Sequence, residues 1–152
     1  MSVEERLAEL GLELPPAPKP VASYVPVATD DGVAYVAGQI PMEEGKPLAT
    51  GRVGEDLSVE EAHALARRCA LQALGALKEE LGSLDRVRRV IKVTVWVASS
   101  ETFTEHPQVA NGASDLLVEV FGEAGKHARA AVGTPSLPLG APVEVEMIVA
   151  IG

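Results

Sequence analysis

Arg129 stands in the stretch HARAAVGTPSLPLGAPVEVEMIVAI, flanked by alanines on both sides. A guanidinium offers a planar fork of N–H donors that matches a carboxylate bidentately, and methyl-sized neighbours leave room for a ligand to reach it. Period-two strand geometry places His127, Arg129 and Ala131 on one face and Ala128, Ala130 and Val132 on the other. Pattern alone leaves two readings open: a ligand-carboxylate site, or an arginine paired with a protein carboxylate. Glu144 is the natural partner, either as that counter-ion or as a group that positions a water, but Glu146 shares its nominal strand face. His63, His106 and His127 are scattered without the spacing of a metal motif, so no metal site is expected. Cys69, the one cysteine, lies on an apolar helical stripe and reads as a small buried hydrophobe, with no disulfide to make. No nucleophile elbow, phosphate loop or dinucleotide fingerprint is present; Gly51-Arg52-Val53-Gly54 is too short to cradle a phosphate.

The elements that must position these residues follow from local signals. Ser2 to Leu12 reads as a short amphipathic helix that leads into the proline-rich LPPAPKP, an extended arm. Tyr24 to Ala28 and Val33 to Ala37 read as strands joined by a turn containing Asp31-Gly32, and Gly38 to Gly54 as a long irregular connection. Ser58 with Glu61 forms a capping box for a helix whose Ala62, Ala66, Cys69, Ala73 and Leu77 make one apolar stripe, ending at Gly82. Val87 to Val97 is a strand in which Ile91, Val93, Val95 and Val97 alternate with Lys92, Thr94 and Trp96. A second long helix spans about Pro107 to Phe121, and two strands follow, His127 to Gly133 and Pro142 to Ile151. This order predicts an α+β sandwich, a sheet with helices on one face, formed as a single domain over residues 1–152 with residues 1–20 as helix and arm.

The chain carries a net charge of −9 and only 3% aromatic residues, which weighs against broad binding to a nucleic-acid backbone. Its opening lacks the basic start and apolar run of a signal peptide, and no apolar stretch approaches the roughly 20 residues of a membrane helix. A cytoplasmic address is the resulting expectation.

Three stretches together resemble the Rid/YjgF family, also called L-PSP endoribonuclease-like: SYVPVATDDGVAYVAGQIP (Ser23 to Pro41), SLDRVRRVIKVTVWVAS (Ser83 to Ser99) and HAR…LP…VEVE (His127 to Glu146). They occur in the family's order and span nearly all of the chain after Pro20; the length, the N-terminal helix and the NGASDLL…FGEAGKHARAAVG stretch look most like a longer subgroup. The resemblance implies a chorismate-mutase-like sandwich, a mixed sheet with two helices on one face, and a homotrimer with clefts between subunits. It further implies hydrolysis of enamine or imine intermediates to 2-oxo acids and ammonia, without a cofactor. Carried over position by position, the carboxylate arginine is Arg129, the water-orienting glutamate Glu144, the cleft tyrosine Tyr24 and the glycine after the second strand Gly38. The second-helix asparagine falls on Asn111 and the LP proline on Pro138. Two positions depart: the family's serine before that glycine is Ala37, and its cysteine two residues past the arginine is Ala131. Those departures keep open a small-carboxylate-binding trimer without turnover, and the family's other name keeps open an endoribonuclease.

Overall fold

The computed structural model describes residues 1–17, 19 and 22–152. Helix α1 (Val3–Glu9) opens on a capping box: Ser2 Oγ accepts from the Glu5 amide at 3.0 Å, and the Glu5 carboxylate accepts from the Ser2 amide at 2.9 Å. It stops earlier than Leu12, at a Leu10 cap followed by Gly11. Tertiary bonds hold this short helix. Leu7 is buried, Arg6 Nε donates to the Glu119 carbonyl, and Glu4 accepts the Leu84 amide at 2.7 Å.

Strands β1 (Val27–Asp30) and β2 (Val33–Gln39) form the expected hairpin. Asp31 and Gly32 both lie at positive φ, 47° and 77°, which a two-residue turn between right-twisted strands requires. Counting back from that turn starts β1 at Val27, so Tyr24 precedes the strand rather than opening it. The connection after β2 contains a second, two-residue ladder, β3 (Met42–Glu43) with β4 (Lys46–Pro47), turned by Glu44 and Gly45 at positive φ.

Helix α2 (Val59–Leu81) follows, with the Ser58–Glu61 capping box made in both directions and Gly82 at φ 84° as its end. Its predicted apolar stripe is buried throughout. Then come β5 (Val87–Ala98), α3 (His106–Phe121), β6 (Ala128–Thr134) and β7 (Val143–Ile151). The five-stranded sheet runs β1-β2-β7-β5-β6, antiparallel except for the parallel pair β5/β6, whose crossover is α3. The fold is the α+β arrangement expected, with α2 and α3 against one sheet face.

Along β7 the alternation holds: Val143, Val145, Met147, Val149 and Ile151 are buried while Glu144 and Glu146 lie on the opposite face. Along β5 it slips. Register shifts between Val87 and Arg89 and between Val90 and Lys92 insert extra residues, so Val90 turns inward and Ile91, expected in the core, is 39% exposed.

The two long helices touch backbone to backbone. A Cβ at Gly112 of α3 would collide with the His63 carbonyl of α2 and lie 3.3 Å from the Arg67 nitrogen. Ala62, Ala66, Ala110 and Ala113, all fully buried, keep this seam thin. The seam sets the height of α3 above the sheet edge, where the candidate site lies.

Candidate functional site

Arg129 aligns with Val93 across the β5/β6 pair. Val93 is a core residue, so Arg129 leaves the sheet on the helix-covered side, at the edge strand beneath α3. There Nη1 donates to Asn111 Oδ1 at 2.8 Å and to Ser114 Oγ at 3.2 Å. These two acceptors stand three residues apart on α3, on one helical face. Nη1 has two protons and both are engaged. Among the described residues the Nε–Nη2 edge, the side of the fork that meets a carboxylate, has no partner, and none of the three ion pairs involves Arg129.

His127 joins the same cluster from the residue just before β6. Its Nδ1 lies 2.6 Å from the Gly125 carbonyl and its Nε2 2.9 Å from Ser114 Oγ. A carbonyl only accepts, which assigns the proton to Nδ1. Burial pushes the imidazole pKa below its ordinary value, the Gly125 hydrogen bond works against that, and the charge of Arg129 adds to it. Ala131, two residues past Arg129 and aligned with Val95, packs half-buried against the core.

Glu144 lies elsewhere. It aligns with Trp96, on the face of the sheet that no helix covers, two strands from β6. The expectation that Glu144 pairs with Arg129 as a counter-ion therefore fails within one chain, because the faces on which the two side chains leave the sheet are opposite. Its neighbours are on β2. The carboxylate lies over Gly38, where a Cβ would collide with it. Burial raises the Glu144 pKa above the usual carboxylate value, and the negative charge of Glu146 adds to the rise. Glu146 itself accepts from Trp96 Nε1 at 3.0 Å, whereas among the described residues Glu144 has no hydrogen-bond donor. The structure thus separates two glutamates that strand pattern left equivalent.

Tyr24, 55% exposed, and Gly38 line a cavity of about 110 Å³ with Pro26, Met42 and Gln72. Ala37 completes this end of β2, its amide donating to the Pro26 carbonyl at 2.9 Å. Pro138 is exposed and begins a tight turn, Pro138–Gly140, whose Gly140 carbonyl accepts from the Gly51 amide. Apart from Pro138, which sits in its own turn, the predicted residues therefore fall into two groups on one chain. Arg129, Asn111 and Ala131 gather at β6 and α3, while Tyr24, Ala37, Gly38 and Glu144 gather at β2 and β7.

Sequence reasoning missed Ser114 and Gln72. Ser114 stands one helical turn from Asn111 in NGAS, a visible signal. Gln72 is buried in α2, where it accepts from the Met42 amide and donates to the Ile40 carbonyl, each at 2.8 Å, pinning the loop beneath Gly38. Its signal was a lone amide inside an apolar stripe. Cys69 is fully buried; burial raises its pKa first, and the nearby Glu144 charge adds to that.

These features define an α+β protein with one sheet face covered by helices, the other bare, and an arginine whose Nε–Nη2 edge has no partner among the described residues. The family described as "YjgF/chorismate mutase-like, putative endoribonuclease" matches residues 4–150, and the chain belongs to it. Protein TCP17 of Trypanosoma cruzi is 47% identical over 148 residues, covering 97% of this chain and 92% of its own. A RutC family protein of Aquifex aeolicus is 26% identical, covering 90% and 95%. Among solved structures, a protein of unknown function from Agrobacterium tumefaciens is similar with a TM-score of 0.91 and 47% identity, over 99% of this chain and 94% of that one. A putative endoribonuclease from Shewanella oneidensis reaches a TM-score of 0.94 at 34% identity, over 99% and 100%.

Proposed function

We propose that this protein hydrolyses reactive enamine or imine derivatives of small carboxylate metabolites to 2-oxo acids and ammonia, in clefts between the subunits of a homotrimer. The observation that carries the reading is the open Nε–Nη2 edge of Arg129, fixed in place by Asn111 and Ser114 and matched to no carboxylate among the described residues. The bare sheet face supports assembly, since it presents Tyr35, Ile91 and Val132 at 39% exposure or more. Docking one chain's β6 edge on another chain's bare face would bring Arg129 of one copy to Gly38, Tyr24 and Glu144 of the next.

In that cleft Arg129 binds the substrate carboxylate while Tyr24, Gly38 and Asn111 shape the walls. Glu144, with its raised pKa, holds the attacking water, accepts a proton from it as oxygen bonds to the imine carbon, and passes that proton to the nitrogen, giving a carbinolamine. The same carboxylate then takes the carbinolamine's hydroxyl proton and delivers it to the amine, which leaves as ammonia as the carbonyl forms. The C=N bond is already electrophilic, so no cofactor enters.

The test generates the imine with an amino-acid oxidase and follows 2-oxo-acid release. Wild type accelerates release and Arg129→Ala does not; equal rates for the two would remove the proposal. Ala37 and Ala131 supply no hydroxyl or thiol to the cleft, and this favours a second reading, a carboxylate-binding trimer without turnover. Calorimetry with 2-oxobutanoate alongside the turnover assay separates them, because Arg129-dependent binding with no rate enhancement selects the binder. Some relatives are named as endoribonucleases, but a net charge of −9 opposes a polyanionic substrate. RNA cleavage by purified protein that disappears in Arg129→Ala would reinstate that reading.

A further inference from the structure

We propose that Ser114 and His127 are positioning residues that lock the guanidinium plane of Arg129 from behind, so that its Nε–Nη2 edge faces outward. The proposal rests on reading Arg129 as the carboxylate site, and it concerns how that site is held rather than what it binds.

The hydrogen-bond chain has one possible direction. At one end the Gly125 carbonyl can only accept, so His127 donates from Nδ1 at 2.6 Å. A neutral imidazole that donates from Nδ1 has a lone pair on Nε2, and the atom 2.9 Å from it is Ser114 Oγ. Ser114 must therefore give its only proton to His127. Its lone pairs are left for the other end of the chain, where the guanidinium can only donate and Nη1 lies 3.2 Å away. Arginine donates to serine, serine to histidine, and histidine to the backbone. Every group in the row is used in the one role left to it.

Asn111 supplies the second acceptor on the same nitrogen at 2.8 Å. Two acceptors on Nη1, both carried by α3, oppose rotation about the Cζ–Nε bond and direct the other edge away from the helix. The far end of the row is equally fixed. Gly125 is buried, and a Cβ there would collide with the Leu117 carbonyl, so the turn bearing the accepting carbonyl lies directly on α3. A protonated imidazole would reverse one link of the row, because Nε2 would then donate to the serine and the serine's own proton would lose its acceptor there. The charge that acts on His127 is that of Arg129 on β6; next to it in the chain, the Lys126 ammonium pairs with Glu123 at 2.8 Å and the Lys126 carbonyl accepts from Arg89 of β5 at 3.1 Å.

The experiment reads the full-length protein by NMR without ligand, measuring rotation of the Arg129 guanidinium and the His127 tautomer, then adds 2-oxobutanoate. Wild type should show the Nδ1–H tautomer and hindered rotation. Ser114→Ala and His127→Phe should each speed rotation at least tenfold, and Ser114→Thr, which keeps the hydroxyl, should restore the slow rate. Equal rotation in wild type and Ser114→Ala, or an Nε2–H tautomer, overturns the proposal. On adding 2-oxobutanoate, Ser114→Ala should bind about tenfold more weakly, the equivalent of about 1.4 kcal/mol, with Ser114→Thr close to wild type. Should wild type bind no 2-oxo acid, the carboxylate reading fails, while the rotation rates still decide whether Ser114 and His127 hold Arg129.

Discussion

Gly112→Ala sets two opposing effects against each other at the seam between α2 and α3. In an isolated helix the change is favourable by about 1 kcal/mol, since alanine loses less backbone freedom on folding than glycine. Here the new methyl would strike the His63 carbonyl and lie 2.8 Å from that residue's carbonyl carbon and 3.3 Å from the Arg67 nitrogen. These are backbone atoms within α2, so no rotamer can relieve the clash and the helices must part by on the order of 1 Å, loosening close-packed side chains along the seam. Overpacking of this kind costs about 3 kcal/mol against rigid surroundings, leaving a net loss near 2 kcal/mol. For a chain of this size that corresponds to roughly 4–8 °C in Tm. Urea denaturation followed by circular dichroism measures the first quantity and calorimetry the second. Gly75→Ala is the comparison: its Cβ would meet the Pro15 carbonyl, which belongs to the N-terminal arm rather than to a neighbouring helix, so the arm shifts and the loss of stability should be smaller than that of Gly112→Ala. If Gly112→Ala proves as stable as wild type, the seam is not rigid and the argument that it sets the height of α3 fails.

Other expectations concern the two half-sites. Arg129→Lys should leave Tm within about 2 °C of wild type, because Arg129 has no ion-pair partner among the described residues, yet weaken 2-oxobutanoate binding at least tenfold through loss of the fork; unchanged affinity in a calorimetric titration would contradict the role given to the open edge. Gly38→Ala places a methyl against the tip of a flexible carboxylate, so the Glu144 side chain should swing aside with little loss of stability, and imine turnover should fall more than tenfold; a wild-type rate would detach Glu144 from the chemistry. Glu144 has a raised pKa in the fold, so between its ordinary and its raised value the native state holds a proton that the unfolded chain has released. Its contribution to stability is complete below the ordinary carboxylate pKa and is lost as pH rises through the raised value. Glu144→Gln should flatten that slope in urea midpoints collected across the acidic range, and an unchanged slope would assign it to another group.

What the sequence disclosed depended on how local the cause was. The Asp31-Gly32 turn, the Ser58–Glu61 capping box, the Gly82 helix end and the alternation of β7 each arise from contacts within a few residues, and each was legible. The bulges that move Ile91 out of the core belong to the pairing of β5 with β7, fixed by partners more than fifty residues away. The separation of Arg129 from Glu144 has the same origin. Each strand's alternation was readable, but which of its faces meets the helices depends on the parallel register of β6 against β5 and the antiparallel register of β7 against β5. His127 beside Arg129 needed only period two, and it was found. Ser114 stood within reach of local pattern, one helical turn from Asn111, but its contact with Arg129 needed the placement of α3 over β6.

An arginine side chain that is free in solution samples many rotamers, and confining it costs up to about 2 kcal/mol of entropy. In this protein Asn111 and Ser114 hold the Arg129 terminus before any anion arrives, so most of that ordering is completed as the chain folds. An anion meeting the open edge then encounters a surface already at its bound geometry. A molecule with only a few heavy atoms, too small to offer many contacts, can be retained by such an edge because little of its binding energy is consumed in bringing the side chain to order.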